Sequence, residues 1–223
     1  MILKQIPLGE LETNCYIFSA DDRECCIIDP ADEGAEIAQF VLQKQLVPKM
    51  ILFTHGHLDH VLGAADLSAA LARHGYHCMP AIHETELDHT GPGCLAVHTA
   101  LLSVVDPTMM PRYSSMISRI PRAETVFSGG ETIEGLGLKV MHTPGHSKGS
   151  VCLYQSELGI LFSGDTLFQG SVGRTDLPGG SSRDMKLSLD TLKAAVPHNV
   201  KVYPGHGPST DMERELKHNP YLR

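Results

Sequence analysis

Four short apolar segments of the sequence each end in a turn that carries a histidine or an aspartate, and this recurrence limits the folds open to the chain. The segments MILFT, LKVMHTPG, GILFSG and VKVYPG lead, in that order, to His55, His146, Asp165 and His206. In the last three, a glycine stands directly before the polar residue, where it permits a sharp turn and close backbone approach. Strand ends are also where α/β folds hold their chemistry on a rigid scaffold. The pattern therefore predicts a sheet-rich core with a functional site at its strand ends.

The stretch THGHLDH at positions 54–60 adds further side chains of the same kind. His55 and His57 are two residues apart in an extended loop, so both side chains face the same way. Asp59 and His60 begin the following helix, so their side chains point in another direction. We expect His55 and His57 to face one metal ion, and Asp59 and His60 to face a second. The alternative interpretation is that these histidines are ordinary surface or capping residues. The candidate metal ligands are His55, His57, Asp59, His60, His146, Asp165 and His206.

The number and type of these residues predict two divalent cations. A tetrahedral catalytic zinc takes three protein ligands and keeps one open position. Two such ions need about six ligands and one shared group, and Asp165 is the candidate bridge. Imidazole and carboxylate donors without thiolates suit zinc, iron or manganese. We expect zinc first, with iron and manganese as alternatives.

The rest of the chain predicts a single domain over residues 1–223. Helical spacing of apolar residues predicts helices at about 33–44, 61–73, 183–195 and 210–217. We expect strands at about 2–6, 15–19, 25–28, 50–53, 131–133, 138–142, 151–154, 160–163 and 200–203. Residues 77–128 contain five prolines and no clean periodicity. They are predicted to be an irregular insertion, either a functional lid or binding loop or a surface segment without a role.

Composition excludes several classes of protein. The net charge of -8 disfavours non-specific binding to nucleic acid or to an anionic membrane. No apolar run approaches the roughly 20 residues needed to cross a bilayer, and the N-terminus lacks a secretory signal, so we expect a cytoplasmic location. The six cysteines form no CxxC pair. They are expected to be small buried hydrophobes, with the adjacent Cys25 and Cys26 on opposite faces of a strand.

The blocks THGHLDH, TPGHSKGS, FSGD and YPGH resemble the metallo-β-lactamase superfamily over nearly the whole chain. The resemblance implies a four-layer αββα sandwich with the metals at one edge of its two sheets. The segment TLFQGSVGRTDLPGG after Asp165 is similar to short hydrolases of the glyoxalase II (hydroxyacylglutathione hydrolase) type. In that group a first metal is bound by residues matching His55, His57 and His146. The second is bound by residues matching Asp59, His60 and His206, and the residue matching Asp165 bridges.

The resemblance also implies an activity, hydrolysis of a small-molecule thioester such as the glutathione-derived S-lactoylglutathione. The metals would activate a water for attack on the carbonyl, and Asp59 or Asp165 would accept the released proton. Arg174 matches a basic residue that binds the glutathione carboxylate in that group; its alternative is a structural ion pair. Since 17 residues follow His206 in this sequence, we expect no counterpart of the helical domain that helps hold glutathione in that group, which leaves the substrate open.

Three other functions stay open at this point. A persulfide dioxygenase of the same superfamily would use one iron, bound by residues matching His55, His146 and Asp165. A lactonase or nuclease of the superfamily is a further alternative. The third is a non-catalytic metal-binding module.

Overall fold

The alternation of apolar side chains along the strands creates three separate hydrophobic clusters, and these define the layers of the molecule. The computed structural model describes all residues from Met1 to Arg223. Successive residues of a strand point to opposite faces of a sheet. In the strand Glu24–Ile28, accordingly, Cys25 packs in one cluster and Cys26 in another. All six cysteines are free and buried, as expected from the sequence.

The first sheet has six strands in the order β1-β2-β3-β4-β5-β6. The first three strands pair antiparallel, and β3 to β6 run parallel. One face packs against α1, α3, α4 and α5 through the largest cluster. The strands are Ile2–Leu8, Thr13–Ser19, Glu24–Ile28, Val47–Leu52, Met79–His83 and Thr125–Phe127. The helices are α1 (Gly34–Gln43), α2 (Leu58–Val61), α3 (Ala64–Ala72), α4 (Cys94–Val105) and α5 (Met110–Ile117).

The second sheet also has six strands, in the order β14-β13-β10-β9-β8-β7. Its outer face packs against α6 and α7 through the third cluster. The strands are β7 (Thr132–Ile133), β8 (Leu138–His142), β9 (Val151–Gln155), β10 (Ile160–Gly164), β13 (Lys201–Pro204) and β14 (Thr210–Asp211). A small hairpin, β11 (Leu167–Phe168) with β12 (Ser171–Val172), precedes α6 (Ser182–Ala195), and α7 (Met212–His218) follows β14. None of the helices has the length and apolar composition needed to span a membrane.

The inner faces of the two sheets meet in a cluster rich in aromatic side chains. Phe162 of β10 is fully buried there, with its ring centroid 5.2 Å from that of Tyr16 and 5.5 Å from that of Phe18. Helices on the outside, two sheets inside and an apolar layer between the sheets make a four-layer αββα sandwich. The predicted fold is confirmed.

The predicted elements are present with bounds that differ by a few residues, apart from two differences. The helix predicted at 61–73 is divided into α2 and α3. Gly63 separates them because its N–H donates to Pro30 C=O at 2.8 Å, and a Cβ there would overlap that carbonyl oxygen. The division of the chain into one domain of residues 1–223 stays a prediction.

The second difference is the segment 77–128, for which the prediction of an irregular insertion is wrong. It contains β5 and β6, which complete the first sheet, and the helices α4 and α5. Short 3-10 turns at Glu84–His89 and Pro107–Met109 connect these elements. The helical pattern is hard to see because α4, CLAVHTALLSVV, has apolar residues on nearly all sides.

The inner cluster predicts where truncation destabilises the fold most. Phe162→Ala removes a fully buried ring between the sheets, and we expect the free energy of unfolding to fall by about 3–5 kcal/mol. Val126→Ala, on the edge strand β6 with 47% of the residue exposed, should change it by less than about 0.5 kcal/mol. Urea unfolding followed by circular dichroism measures both variants. Equal losses of stability would contradict the proposed position of the core.

Candidate metal centre

Strands from both sheets end at one edge of the sandwich, and the predicted ligands follow those ends. The loop after β4 carries His55 and His57, and α2 begins directly behind it. In the second sheet β8, β10 and β13 run in the same direction, because β8 and β10 both pair antiparallel with β9, and β13 pairs parallel with β10. Their carboxyl ends therefore meet at one edge, and His146, Asp165 and His206 follow them in turn.

The close approach of these loops depends on glycine at two of the turns. Gly164 has φ +47, and a Cβ there would lie within 3.0 Å of the Thr54 side chain. A Cβ on Gly205 would overlap Asp165 Oδ1 and come within 2.8 Å of the His60 ring. Only a residue without a side chain allows the strand ends of the second sheet to reach the first.

We call the seven candidate ligands at this edge the ligand cluster. Three histidines form its first group. His55, His57 and His146 have ligand atoms that all lie within 4.8 Å of one another. His146 Nε2 is 2.8 Å from His57 Nδ1, and His146 Nδ1 donates to the carbonyl of Arg174 at 2.8 Å. That backbone contact fixes the imidazole so that its other nitrogen faces the cluster.

The second group consists of Asp59, His60 and His206, again within 4.8 Å of one another. Asp59 Oδ2 is 3.4 Å from His60 Nε2 and 3.3 Å from His206 Nε2. His206 Nδ1 donates to Leu11 C=O at 3.1 Å, and Thr13 Oγ1 donates to Asp59 Oδ2 at 2.8 Å. In each group, hydrogen bonds to residues outside the group therefore fix the orientation of the side chains.

Asp165 lies between the two groups. Its Oδ2 is 3.5 Å from His146 Nε2 and 3.5 Å from His206 Nε2. Its Oδ1 is 3.5 Å from His60 Nε2. The structure brings all seven candidate ligands together at this edge, and the role of Asp165 as a bridging carboxylate stays a prediction.

Unpaired buried atoms make a cation the fitting occupant of the cluster. His55 Nε2, His60 Nε2 and Asp165 Oδ1 are buried without a hydrogen-bond partner, although buried polar atoms are normally paired. Ligands at about 2.0–2.2 Å around a tetrahedral zinc stand about 3.3–3.6 Å apart. The separations within the cluster, 3.3–3.5 Å between carboxylate oxygens and imidazole nitrogens, match that spacing.

The electrostatics of the two groups differ. Burial and the neighbouring His60, His57 and His146 hold the pKa of His55 well below its usual range. Its imidazole is therefore neutral, the form that can ligate a metal ion. Burial also acts to lower the pKa of His60, but the carboxylates of Asp59, Asp29 and Asp165 raise it to about 10. These carboxylates concentrate negative potential where a second divalent cation would be held.

A buried carboxylate below the cluster organises the first ligand loop. Asp29 Oδ2 accepts from His60 Nδ1 at 2.9 Å and from Thr54 Oγ1 at 2.6 Å. Its Oδ1 accepts from the Thr54 N–H at 2.8 Å. Thr54 Oγ1 in turn lies 3.2 Å from His55 Nδ1. One carboxylate therefore fixes the ring orientation of His60 directly and of His55 through Thr54.

Glu86 is a second buried carboxylate that organises the ligand loops, and nothing in the sequence indicated this role. Only 2% of the residue is exposed, and it tethers both ligand loops. Its Oε2 accepts from the Gly56 N–H at 2.6 Å, between His55 and His57, and its Oε1 accepts from the Gly149 N–H at 2.8 Å. No signal in the sequence separates Glu86 from the exposed Glu84 two residues earlier.

Arg174 lies beside the cluster in a bidentate ion pair. Its Nε is 2.7 Å from Asp176 Oδ1, and its Nη2 is 2.8 Å from Asp176 Oδ2. The Nε–Nη2 edge of the guanidinium, one of the two edges that can hold a substrate carboxylate, is thus occupied within the chain. This arrangement is the structural ion pair that the sequence left open as an alternative, and a substrate contact of Arg174 stays a prediction.

A family model described as "Metallo-beta-lactamase superfamily" matches residues 8–206 of the chain. A "Probable metallo-hydrolase YqgX" from Bacillus subtilis is 34% identical over 98% of this chain and 96% of that protein. A "Hydroxyacylglutathione hydrolase GloC" from Haemophilus influenzae is 28% identical over 100% of this chain and 98% of that protein.

Solved structures give the same picture of the fold. The crystal structure of "BLEG-1 B3 metallo-beta-lactamase" is 33% identical with a TM-score of 0.82, covering 99% of each chain. That of "TTHA1623 in a di-iron-bound form" is 32% identical with a TM-score of 0.79, covering 98% of this chain and 100% of that one.

The contacts of Asp29 predict its effect on metal binding. Asp29→Asn replaces one acceptor oxygen by an NH₂ group, which accepts no hydrogen bond, so at least one contact with His60 or Thr54 is lost. We expect metal affinity to fall about 10- to 100-fold, measured by competition with a chromophoric chelator. Asp190→Asn, on the exposed face of α6, is the matched control and should bind metal like the unaltered protein. Unchanged affinity in Asp29→Asn would show that the ligand histidines orient themselves without it.

Glu86 gives a second prediction. Glu86→Gln directs an amide NH₂ group at a backbone N–H, so one of the two buried tethers is lost. We expect a loss of about 1–3 kcal/mol in the free energy of unfolding, together with weaker metal binding, because Gly56 lies between two ligands. Urea unfolding and the chelator competition measure the two effects. Glu84→Gln in the same turn should alter neither; a similar loss in both variants would contradict the tethering role.

Proposed function

Since the chain belongs to the metallo-β-lactamase superfamily and brings seven histidine and aspartate side chains together at one edge of its sandwich, we propose that it is a binuclear metal-dependent hydrolase of small-molecule thioesters. S-lactoylglutathione represents this substrate class. The observation that carries the proposal is the position of Asp165, with oxygens 3.5 Å from His60, His146 and His206. The hydroxyacylglutathione hydrolase among the relatives supports the choice of thioesters.

Different residues of the chain have different roles in the proposed site. His55, His57 and His146 would hold one cation, Asp59, His60 and His206 the other, and Asp165 both. Such cations act as Lewis acids on a carbonyl and make water a nucleophile near neutral pH. Asp29 and Glu86 keep the donors fixed, so that no reorganisation is needed when substrate binds.

Proton transfer in the proposed reaction needs few further groups. Asp59 and Asp165 are the carboxylates of the cluster and would take the proton released when water adds to the carbonyl. The leaving thiol has a pKa of about 8.5, so it departs as a thiolate without a dedicated acid. This requirement agrees with a site that contains only imidazoles and carboxylates. Zinc is the first choice of metal by donor type, with iron and manganese as alternatives.

The test combines metal content and turnover on the same sample. We expect close to two ions per chain and hydrolysis of S-lactoylglutathione, with His57→Ala or a chelator lowering kcat/KM by more than about 100-fold. His77→Ala is the control, because His77 is an exposed imidazole paired with Glu124. Full activity of His57→Ala or of chelated protein would contradict the proposal.

Two other outcomes would replace the proposed reaction by a different one. One iron per chain with oxygen uptake and sulfite formation from a persulfide would identify a dioxygenase. Turnover of a chromogenic cephalosporin without turnover of any thioester would identify a lactamase, the activity in the name of one structural relative.

A further inference from the structure

A cavity of about 470 Å³ adjoins the ligand cluster, and its walls are mostly apolar. This volume lies within the range of pockets that hold small ligands. Five cluster residues face the same cavity, so it is continuous with the place where bonds would break. These residues are His57, Asp59, His146, Asp165 and His206.

The apolar wall comes from elements on several sides of the cluster. Leu58 and Leu62 from the α2 region face it, as does Phe168 from the hairpin after Asp165. Helix α4 adds a row of three side chains: Leu101, Leu102 and Val105. We call the space between them the apolar chamber. Removing a ligand's apolar surface from water against such a wall is favourable.

The charged residues of the wall outside the cluster already have partners within the chain. Glu10 is held by Arg112 and by the Tyr113 hydroxyl, which donates to it at 3.0 Å. Arg174 donates two hydrogen bonds to the Asp176 carboxylate. Asp32 accepts from the Glu33 N–H at 2.8 Å.

The one histidine of the wall outside the cluster is His98, and it does not add a charge. Burial lowers the pKa of His98 to about 4, so its imidazole is neutral at pH 7. Arg174 is thus the one cationic side chain of the chamber wall outside the cluster, and two of its N–H groups already bind Asp176. The carboxylate of Asp32 on the same wall would repel the carboxylates of a glutathione moiety.

From the continuity of this chamber with the cluster, we infer that the substrates are thioesters with an apolar chain, which lies in the chamber while the carbonyl faces the ligand cluster. The inference rests on the proposed function and specifies its substrate class. The shared chemistry is a hydrocarbon chain, attached either on the acyl side or on the thiol side of the bond. Hydrolysis by water gives a carboxylic acid and a thiol, with no other reactant.

Two series of substrates on the metal-loaded protein test the inference. In the first, the acyl group of N-acetylcysteamine thioesters grows from acetyl to octanoyl; in the second, the thiol of acetyl thioesters grows from ethyl to hexyl. We expect kcat/KM to rise about fourfold per buried methylene in the series whose chain occupies the chamber. The longer members should exceed S-lactoylglutathione.

Helix α4 supplies a matched pair of variants. Val105 and Val104 are neighbours, 50% and 60% exposed, and only Val105 faces the chamber. Val105→Asp should lower the ratio of long-chain to short-chain turnover, in the series that responds to chain length, at least about tenfold, because a charge then lies beside the chain. Val104→Asp should leave that ratio within about twofold. Both side chains are exposed, so neither variant disturbs the core.

The outcomes separate the chamber from the chemistry. If S-lactoylglutathione is hydrolysed while kcat/KM stays flat in both series, the inference is wrong and the proposed function stands. If no thioester is hydrolysed by protein that carries two ions, the proposed function is wrong. In that event, calorimetric titration with octanamide tests whether the chamber binds an apolar chain. Binding that is weakened by Val105→Asp but not by Val104→Asp supports this role of the chamber. No binding of octanamide overturns it.

Discussion

The candidate site depends on how the two sheets are aligned, because each sheet supplies about half of it. The first provides His55, His57, Asp59 and His60, and the second provides His146, Asp165 and His206. Hydrogen bonds across the edge fix this alignment. The Asn14 N–H donates to Gly205 C=O at 2.7 Å, and the Tyr16 hydroxyl donates to Pro204 C=O at 2.7 Å. The Asn14 side-chain amide donates to Pro204 and Gly207. A shift of one sheet along the other would separate His206 from His60.

Alignment alone leaves a group of buried imidazoles and carboxylates with unpaired atoms, an arrangement that opposes folding. Two buried carboxylates hold it together by different contacts. Asp29 accepts from side chains and sets the orientation of the rings, whereas Glu86 accepts only from backbone N–H groups and sets the distance between the loops. Both are buried and neither lies among the ligands. Cations in the cluster would pair the remaining atoms, so metal binding should contribute to stability as well as to chemistry.

The sequence predicted most of the strands and put forward the seven candidate ligands because both leave local signals. Strand alternation and glycine-turn-ligand endings are readable over a few residues, and superfamily resemblance supplied the layer arrangement. Glu86 left no such signal: its burial depends on loops 30 and 63 residues away in sequence. The pairing of Arg174 with Asp176 was likewise not decided by sequence, since a guanidinium can bind a neighbouring carboxylate or a ligand's.

The segment 77–128 was difficult to predict for a reason that bears on substrate choice. A helix packed on one side shows a period of about 3.6 residues, but α4 has two apolar sides. Cys94, His98 and Leu102 are buried at intervals of one turn, and Leu101 and Val105 extend the apolar surface from Leu102 along the chamber wall. The second apolar side removes the periodic contrast that identifies a helix in sequence. Leu101 and Val105 instead add apolar surface beside the candidate site, and the apolar chain of a substrate is the occupant that we propose for it.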